Sequence, residues 1–108
     1  MRILLTGQAH RDISAIKSYI AENNPNAADR VAKRLYDEAE RLTNNPRKGV
    51  ALSAKFGIQT DLRMWIVSPN IILYKIDGDK IIVIRVMSER RDYLAALGLA
   101  KSKEDDEI

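Results

Sequence analysis

Cysteine is absent from this 108-residue chain, which excludes a disulfide scaffold, a thiolate nucleophile and cysteine-ligated zinc or iron–sulfur centres. There is a single histidine, His10, and no cluster has the spacing of metal ligands. The five glycines are scattered rather than gathered into a phosphate-cradling loop, so no cofactor is expected. Long uncharged apolar segments are also missing, and the opening MRILLTG holds one basic residue beside a short apolar run, far less than the core of a signal peptide. These absences lead to the expectation of a soluble, cytoplasmic protein with no membrane partner.

The length supports one domain with a modest core, expected over residues 1–100. The formal charge of +3 hides an asymmetry, because residues 1–100 carry a net +5 and the closing KSKEDDEI a net −2. A mild positive excess favours acidic partners through long-range attraction without dictating a fold. Residues 101–108 lack periodic apolar positions and read as a charged, disordered tail.

Arg2 to Leu5 is too brief for a helix and reads as a strand ending at Thr6-Gly7. Ala9, Ile13, Ile16 and Ile20 then recur at helical spacing, up to the turn Asn23-Asn24-Pro25-Asn26. Asn26 is the expected N-cap of a second helix, whose buried stripe is Ala28, Val31, Ala32, Leu35, Ala39 and Leu42. Its polar face offers the pairs Arg34–Glu38 and Asp37–Arg41. So short a link makes the helices antiparallel neighbours. From Gly57 to Val67 apolar and polar residues alternate, with Ile58, Thr60, Leu62, Met64 and Ile66 on the expected buried side. Ile71–Ile76 and Lys80–Met87 follow as strands, joined by Asp77-Gly78, a strong hairpin signal. Asp92 to Leu97 can add a short helix closed by Gly98. The fold class is therefore α+β: an N-terminal strand and a helical hairpin packed on an antiparallel meander.

The hairpin strands are apolar on both faces. Ile72, Tyr74, Ile76, Ile82, Ile84 and Val86 can supply one side, which leaves Ile71, Leu73, Ile81, Val83 and Met87 for the other. A helical hairpin covers one face only, and each large aliphatic side chain left in water forgoes about 1.5–3 kcal/mol of burial. A partner chain is the expected covering; the alternative is the segment after Arg91.

HRDISAIKSYIAENNPNAADRV across the helices, LTNNPRKG after them, the hairpin YKIDGDKIIVIRV and the closing ERRDYL together resemble the ParE and RelE toxin superfamily, over residues 3–97. The resemblance implies a toxin of a bacterial toxin–antitoxin pair, held in a hetero-oligomer by a cognate ParD-like antitoxin with an acidic segment. That antitoxin would cover Ile71, Leu73, Ile81, Val83 and Met87, and the neighbouring reading frame would encode it. Within the superfamily, ERRDYLAAL looks like the end of ParE proteins, although Ser88 stands where many of them have histidine. ParE-like proteins poison DNA gyrase by binding, so this branch implies no enzyme, with Arg85, Arg90, Arg91 and Tyr93 as candidate target contacts.

RelE-like relatives instead cleave mRNA on the ribosome, which needs groups to deprotonate a 2′-hydroxyl, neutralise a phosphate and protonate a leaving oxygen. The available set for that alternative is Lys55, Arg63, Arg85, Arg90, Arg91 and Tyr93. Ile71 occupies the place where a ribonuclease relative carries arginine, and His10 lies far from the C-terminal end, as an exposed helix residue. Each member of the set also has a structural reading: Arg63 on a polar strand phase, Arg90 or Arg91 paired with Glu89 or Asp92, Tyr93 packing. Arg85 interrupts an apolar strand and must find a partner or water. A third reading is a toxin fold retained only as an interaction module.

Overall fold

The computed structural model describes residues 1–99; the tail expected at 101–108 lies outside them. β1 (Arg2–Leu5) leads into α1 (Gly7–Ala21) and α2 (Pro25–Arg41). A loop then reaches β2 (Val50–Ala51), α3 (Leu52–Phe56), β3 (Arg63–Val67), β4 (Asn70–Asp77), β5 (Lys80–Ser88) and α4 (Tyr93–Ala96). The five strands form one sheet in the order β1-β5-β4-β3-β2. The meander is antiparallel as expected, while β1 adds beside β5 in parallel, from Arg2 opposite Lys80 to Leu5 opposite Val83.

Local chemistry fixes the helix ends. The Thr6 hydroxyl accepts from Ala9 N–H at 3.1 Å and donates to Ile84 C=O at 3.0 Å, so one side chain caps α1 and ties it to β5. Asn24, not the expected Asn26, caps α2 by accepting from Ala27 N–H, with Pro25 in the first turn where a missing N–H costs nothing. The polar face of α2 pairs Lys33 with Asp37 and Glu38 with Arg41, instead of Arg34 with Glu38 and Asp37 with Arg41. The alternation read over residues 57–67 is a strand only from Arg63. Residues 52–56 are helical and end on Gly57 at φ +66°, a geometry that favours glycine. Ile66, placed on the buried side by alternation, is 51% exposed.

Two clusters close the sheet. Ala9, Ile13, Leu35, Ala39 and Leu42 of the helical hairpin pack on Val67, Ile72, Tyr74, Ile81, Val83 and Val86. On the other face Leu52 of α3 joins Met64, Ile71, Leu73 and Met87, with Ile58, Leu62, Tyr93, Leu94, Leu97 and Leu99 packed around them. This corrects the exposed-face expectation: Ile71, Leu73, Ile81, Val83 and Met87 are all buried, and the chain itself covers them. They do not even share a face. Leu73 pairs with Arg85 and Tyr74 with Val83, so a β-bulge inserts one residue and reverses the alternation along β5. Ile81 and Val83 consequently face the helices, whereas Met87 faces α3 and α4.

Tyr74 fastens the loop before β2. Its fully buried hydroxyl donates to Pro46 C=O at 2.7 Å and accepts from Gly49 N–H at 2.9 Å. Gly49 is required by close approach, since a Cβ there would lie 2.6 Å from that hydroxyl and 2.7 Å from Met64 C=O. Tyr74→Phe should cost about 1–3 kcal/mol by leaving buried backbone groups unpaired. Gly49→Ala should destabilise by more, because one of its clashes is with backbone. Urea unfolding of the two variants checks this order.

Candidate functional site

The charged centre of the structure is a node between α1 and β5. Parallel pairing by β1 ends at Leu5, so β5 loses its neighbour just beyond Val83. The Asp12 side chain, reaching from α1, takes over there. One of its oxygens accepts from Val86 N–H at 2.9 Å and from Arg85 Nε at 2.8 Å; the other accepts from Arg85 Nη2 at 3.0 Å and from Gln8 Nε2 at 3.0 Å. The Arg85 fork is thus bidentate on a carboxylate only 9% exposed, a strong and geometrically specific pairing. Burial alone would raise the Asp12 pKa, but the Arg85, Val86 and Gln8 hydrogen bonds outweigh it and hold the carboxyl below its ordinary range. The same pairing raises Arg85 further.

Arg63 is engaged with backbone, donating from Nε to Gly49 C=O at 2.9 Å and from Nη2 to Arg47 C=O at 3.2 Å. Tyr93 packs edge-on to Phe56 and points its hydroxyl at the Met64 sulfur, 3.6 Å away. Burial, with Asp92 adding to it, pushes this phenol's pKa up, away from ionisation. Lys55 lies 5.7 Å from the Phe56 ring. Arg90 and Arg91 are exposed in the turn after β5, and neither pairs with Glu89 or Asp92 within salt-bridge distance. The Asp92 carboxylate instead caps α4. His10 is exposed as expected, its Nδ1 2.9 Å from the Tyr36 hydroxyl.

The six sequence candidates therefore occupy separate places. Lys55 and Tyr93 meet through Phe56, Arg63 is at the loop before β2, Arg85 is against α1, and Arg90-Arg91 form a surface turn. Sequence reasoning missed Asp12, whose only signal was that a charge at Arg85 demanded a partner. It also missed Glu38, which accepts from Trp65 Nε1 at 3.0 Å while Lys48 lies 4.2 Å over the indole. Among the described residues no group of acidic or histidine side chains could hold a metal, and no helix is long and apolar enough to cross a membrane.

A helical hairpin on a five-stranded mixed sheet, with small helices closing the far face, is the architecture of the ParE and RelE toxins. The family described as ParE toxin of type II toxin–antitoxin system, parDE, matches residues 3–93, and the chain belongs to it. It is 29% identical over 90 residues to Toxin RelE2 of Caulobacter vibrioides, an alignment that spans 83% of this chain and 97% of that one. Among solved structures, a chain of the chromosomal ParDE system from P. aeruginosa superposes with TM-score 0.69 at 16% identity, covering 82% of this chain and 95% of that one. A chain of the RelBE2 toxin–antitoxin complex from Mycobacterium tuberculosis does so with TM-score 0.57 at 17% identity, covering 82% and 96%.

Because Asp12 has a lowered pKa in the folded chain, it adds stability that is present above its unfolded pKa and is lost as pH falls through the folded value. Asp12→Asn should lower stability at neutral pH by about 2–3 kcal/mol. It should also remove part of the stability loss seen in the wild type below about pH 4. Thermal unfolding followed from pH 7 to pH 2.5 measures both effects.

Proposed function

We propose that this toxin acts by binding DNA gyrase rather than by cutting RNA, and that a cognate ParD-like antitoxin neutralises it. The observation that carries the reading is the closed fork of Arg85. The one strand arginine suited to a phosphate is occupied by Asp12 at 2.8 and 3.0 Å, and freeing it would break the junction between α1 and β5. Arg63 is likewise committed to backbone carbonyls, and the Tyr93 hydroxyl is turned to the Met64 sulfur. General acid–base work on RNA needs a base and an acid within reach of one phosphodiester, and these candidates are dispersed. Binding makes no such demand. Arg90 and Arg91, exposed at the end of the sheet, suit contact with a target or the DNA it holds.

The second reading is ribosome-dependent mRNA cleavage through Lys55, Arg63, Arg85, Arg90, Arg91 and Tyr93, and the relative named RelE2 keeps it in view. Purified toxin added to gyrase separates the two. Inhibited supercoiling or accumulated cut DNA is expected, with Arg90→Glu/Arg91→Glu losing at least about tenfold in potency. Normal supercoiling at saturating toxin, together with message cleavage that depends on translation, would assign the chain to the ribonuclease reading.

A further inference from the structure

We infer that an apolar notch on the β2–β3 edge of the sheet is the site at which this toxin grips its target protein, and that it takes a branched aliphatic side chain lying beside a carboxylate. The inference rests on the reading of this chain as a poison that acts by binding, and it places the decisive contact on the target's protein rather than on DNA. Val50 and Met64 are register partners across β2 and β3, and Ile66 stands two residues on from Met64, so the three share the face of the sheet that carries α3. With Lys55 of α3 and Trp65 they line a notch of about 110 Å³. Its rim is bare: Val50 is 50% exposed, Ile66 51%, and Phe56, next to Lys55, 37%. Apolar side chains exposed singly are ordinary, but three gathered at one notch mark a contact surface.

The strand edge beside the notch is open as well. Leu52 N–H donates to Leu62 C=O at 3.0 Å, which turns the backbone groups of the even-numbered residues of β3 toward β2. β2 begins at Val50, opposite Met64, so it stops short of Ile66, and among the described residues no hydrogen bond reaches Ile66 from the loop before β2. An extended segment laid there finds a free N–H and C=O and drops a side chain into the notch. The edge is also held in place. Trp65 Nε1 donates to Glu38 at 3.0 Å and Lys48 lies 4.2 Å over the indole, which pins β3 from the opposite face. A preformed edge loses little order on binding.

Size and charge define the occupant. A cavity of roughly 150 Å³ takes a benzene ring, so this smaller notch suits Val, Leu or Ile rather than an aromatic residue. Lys55 is the only charged residue of its lining, and it forms no salt bridge among the described residues. An ammonium group at an apolar notch selects a carboxylate next to the inserted side chain. A nucleic-acid backbone would engage Lys55 and leave the apolar walls in water. A second copy of this chain fits poorly, because Leu4, exposed on the far edge of the sheet, shares its pocket with Arg2 and Lys80, and the nearby Asp79 is drawn to Arg2 at 3.8 Å. Phe56 meets Tyr93 edge-on at 6.3 Å, two residues past Arg91, so the notch continues the surface that the exposed arginine turn offers.

The test uses the full-length toxin, with gyrase holoenzyme free of DNA as the binding probe and growth arrest on induction as a readout that presumes no target. Val50→Glu and Ile66→Glu place a carboxylate on the rim, and Lys55→Glu reverses the charge of the lining. Each should weaken gyrase binding by at least about tenfold and relieve the arrest, with an unfolding midpoint close to that of the wild type. Leu4→Glu, equally exposed on the far edge, should change neither readout. Retention of gyrase affinity and of arrest by both rim variants would overturn the inference. So would binding that appears only when DNA is added, a toxin dimer that Ile66→Glu dissociates, or an equal loss of affinity for the antitoxin, which would give the notch to DNA, to a second copy or to the antitoxin. The gyrase reading fails separately: normal supercoiling, with an arrest that the rim variants relieve, would remove gyrase and keep the notch. A wild type that neither binds gyrase nor arrests growth would overturn both.

Discussion

The fold turns on one carboxylate. β1 is four residues long and cannot pair with the whole of β5, so the strand would be left with open hydrogen-bonding groups just where the bulge disturbs its ladder. Thr6 and Asp12 supply the missing partners from the helix side, at Ile84 C=O and Val86 N–H. An unpaired backbone group in that setting costs about as much as a lost hydrogen bond. The same carboxylate neutralises the one cation of β5's bulge. Because Asp12 is on α1, satisfying the strand also sets the height and rotation of that helix over the sheet. Ile13 and Ile16 reach the core, and Ala15 and Tyr19 are left facing the β3–β4 turn.

Much of this architecture is legible in local pattern. The 3.6-residue recurrence of Ile13, Ile16 and Ile20, and of Leu35, Ala39 and Leu42, marks two helices because packing one face of each is what stabilises them. Asp77-Gly78 marks the hairpin, with Gly78 at φ +61°, and Asp92 with Gly98 brackets the last helix. What pattern cannot reveal are the non-local terms. Alternation over residues 80–87 has no sign of the extra residue at the bulge, so Val86 and Met87 are read on their true faces while Ile81 and Val83, on the turn side of it, are read on the wrong one. Nor does a four-residue strand announce whether it will pair beside β5 or elsewhere. The five-residue α3 is shorter than two turns and leaves no periodic trace, and the alternation of residues 57–62 persists in a segment that is not a strand.

The functional residues divide along the same line. Arg85 stands out because a cation inside an apolar strand is costly unless paired, but its partner lies 73 positions earlier in a helix whose polar residues all read alike. The surplus of apolar residues in β4 and β5 was a sound observation with an incomplete inference. Those residues demand cover, and the chain itself provides it: the helical hairpin over Ile81 and Val83, and α3, α4 and Leu99 over Ile71, Leu73 and Met87.

With both faces of the sheet closed internally, recognition by this protein falls to edges, grooves and exposed charge. The turn that presents Arg90 and Arg91 is held by its backbone: Arg91 N–H donates to Ser88 C=O at 3.1 Å, Arg90 N–H to the Ser88 hydroxyl at 3.2 Å, and Asp92 caps the following helix. Fixed backbone, with guanidinium groups that pair with no carboxylate among the described residues, means that little loop order is lost on binding, and that loss is a large part of what separates buried area from affinity. Arg85, of the same residue type, serves the opposite purpose. Its charge is spent on Asp12, so it stiffens the platform that carries the two exposed arginines.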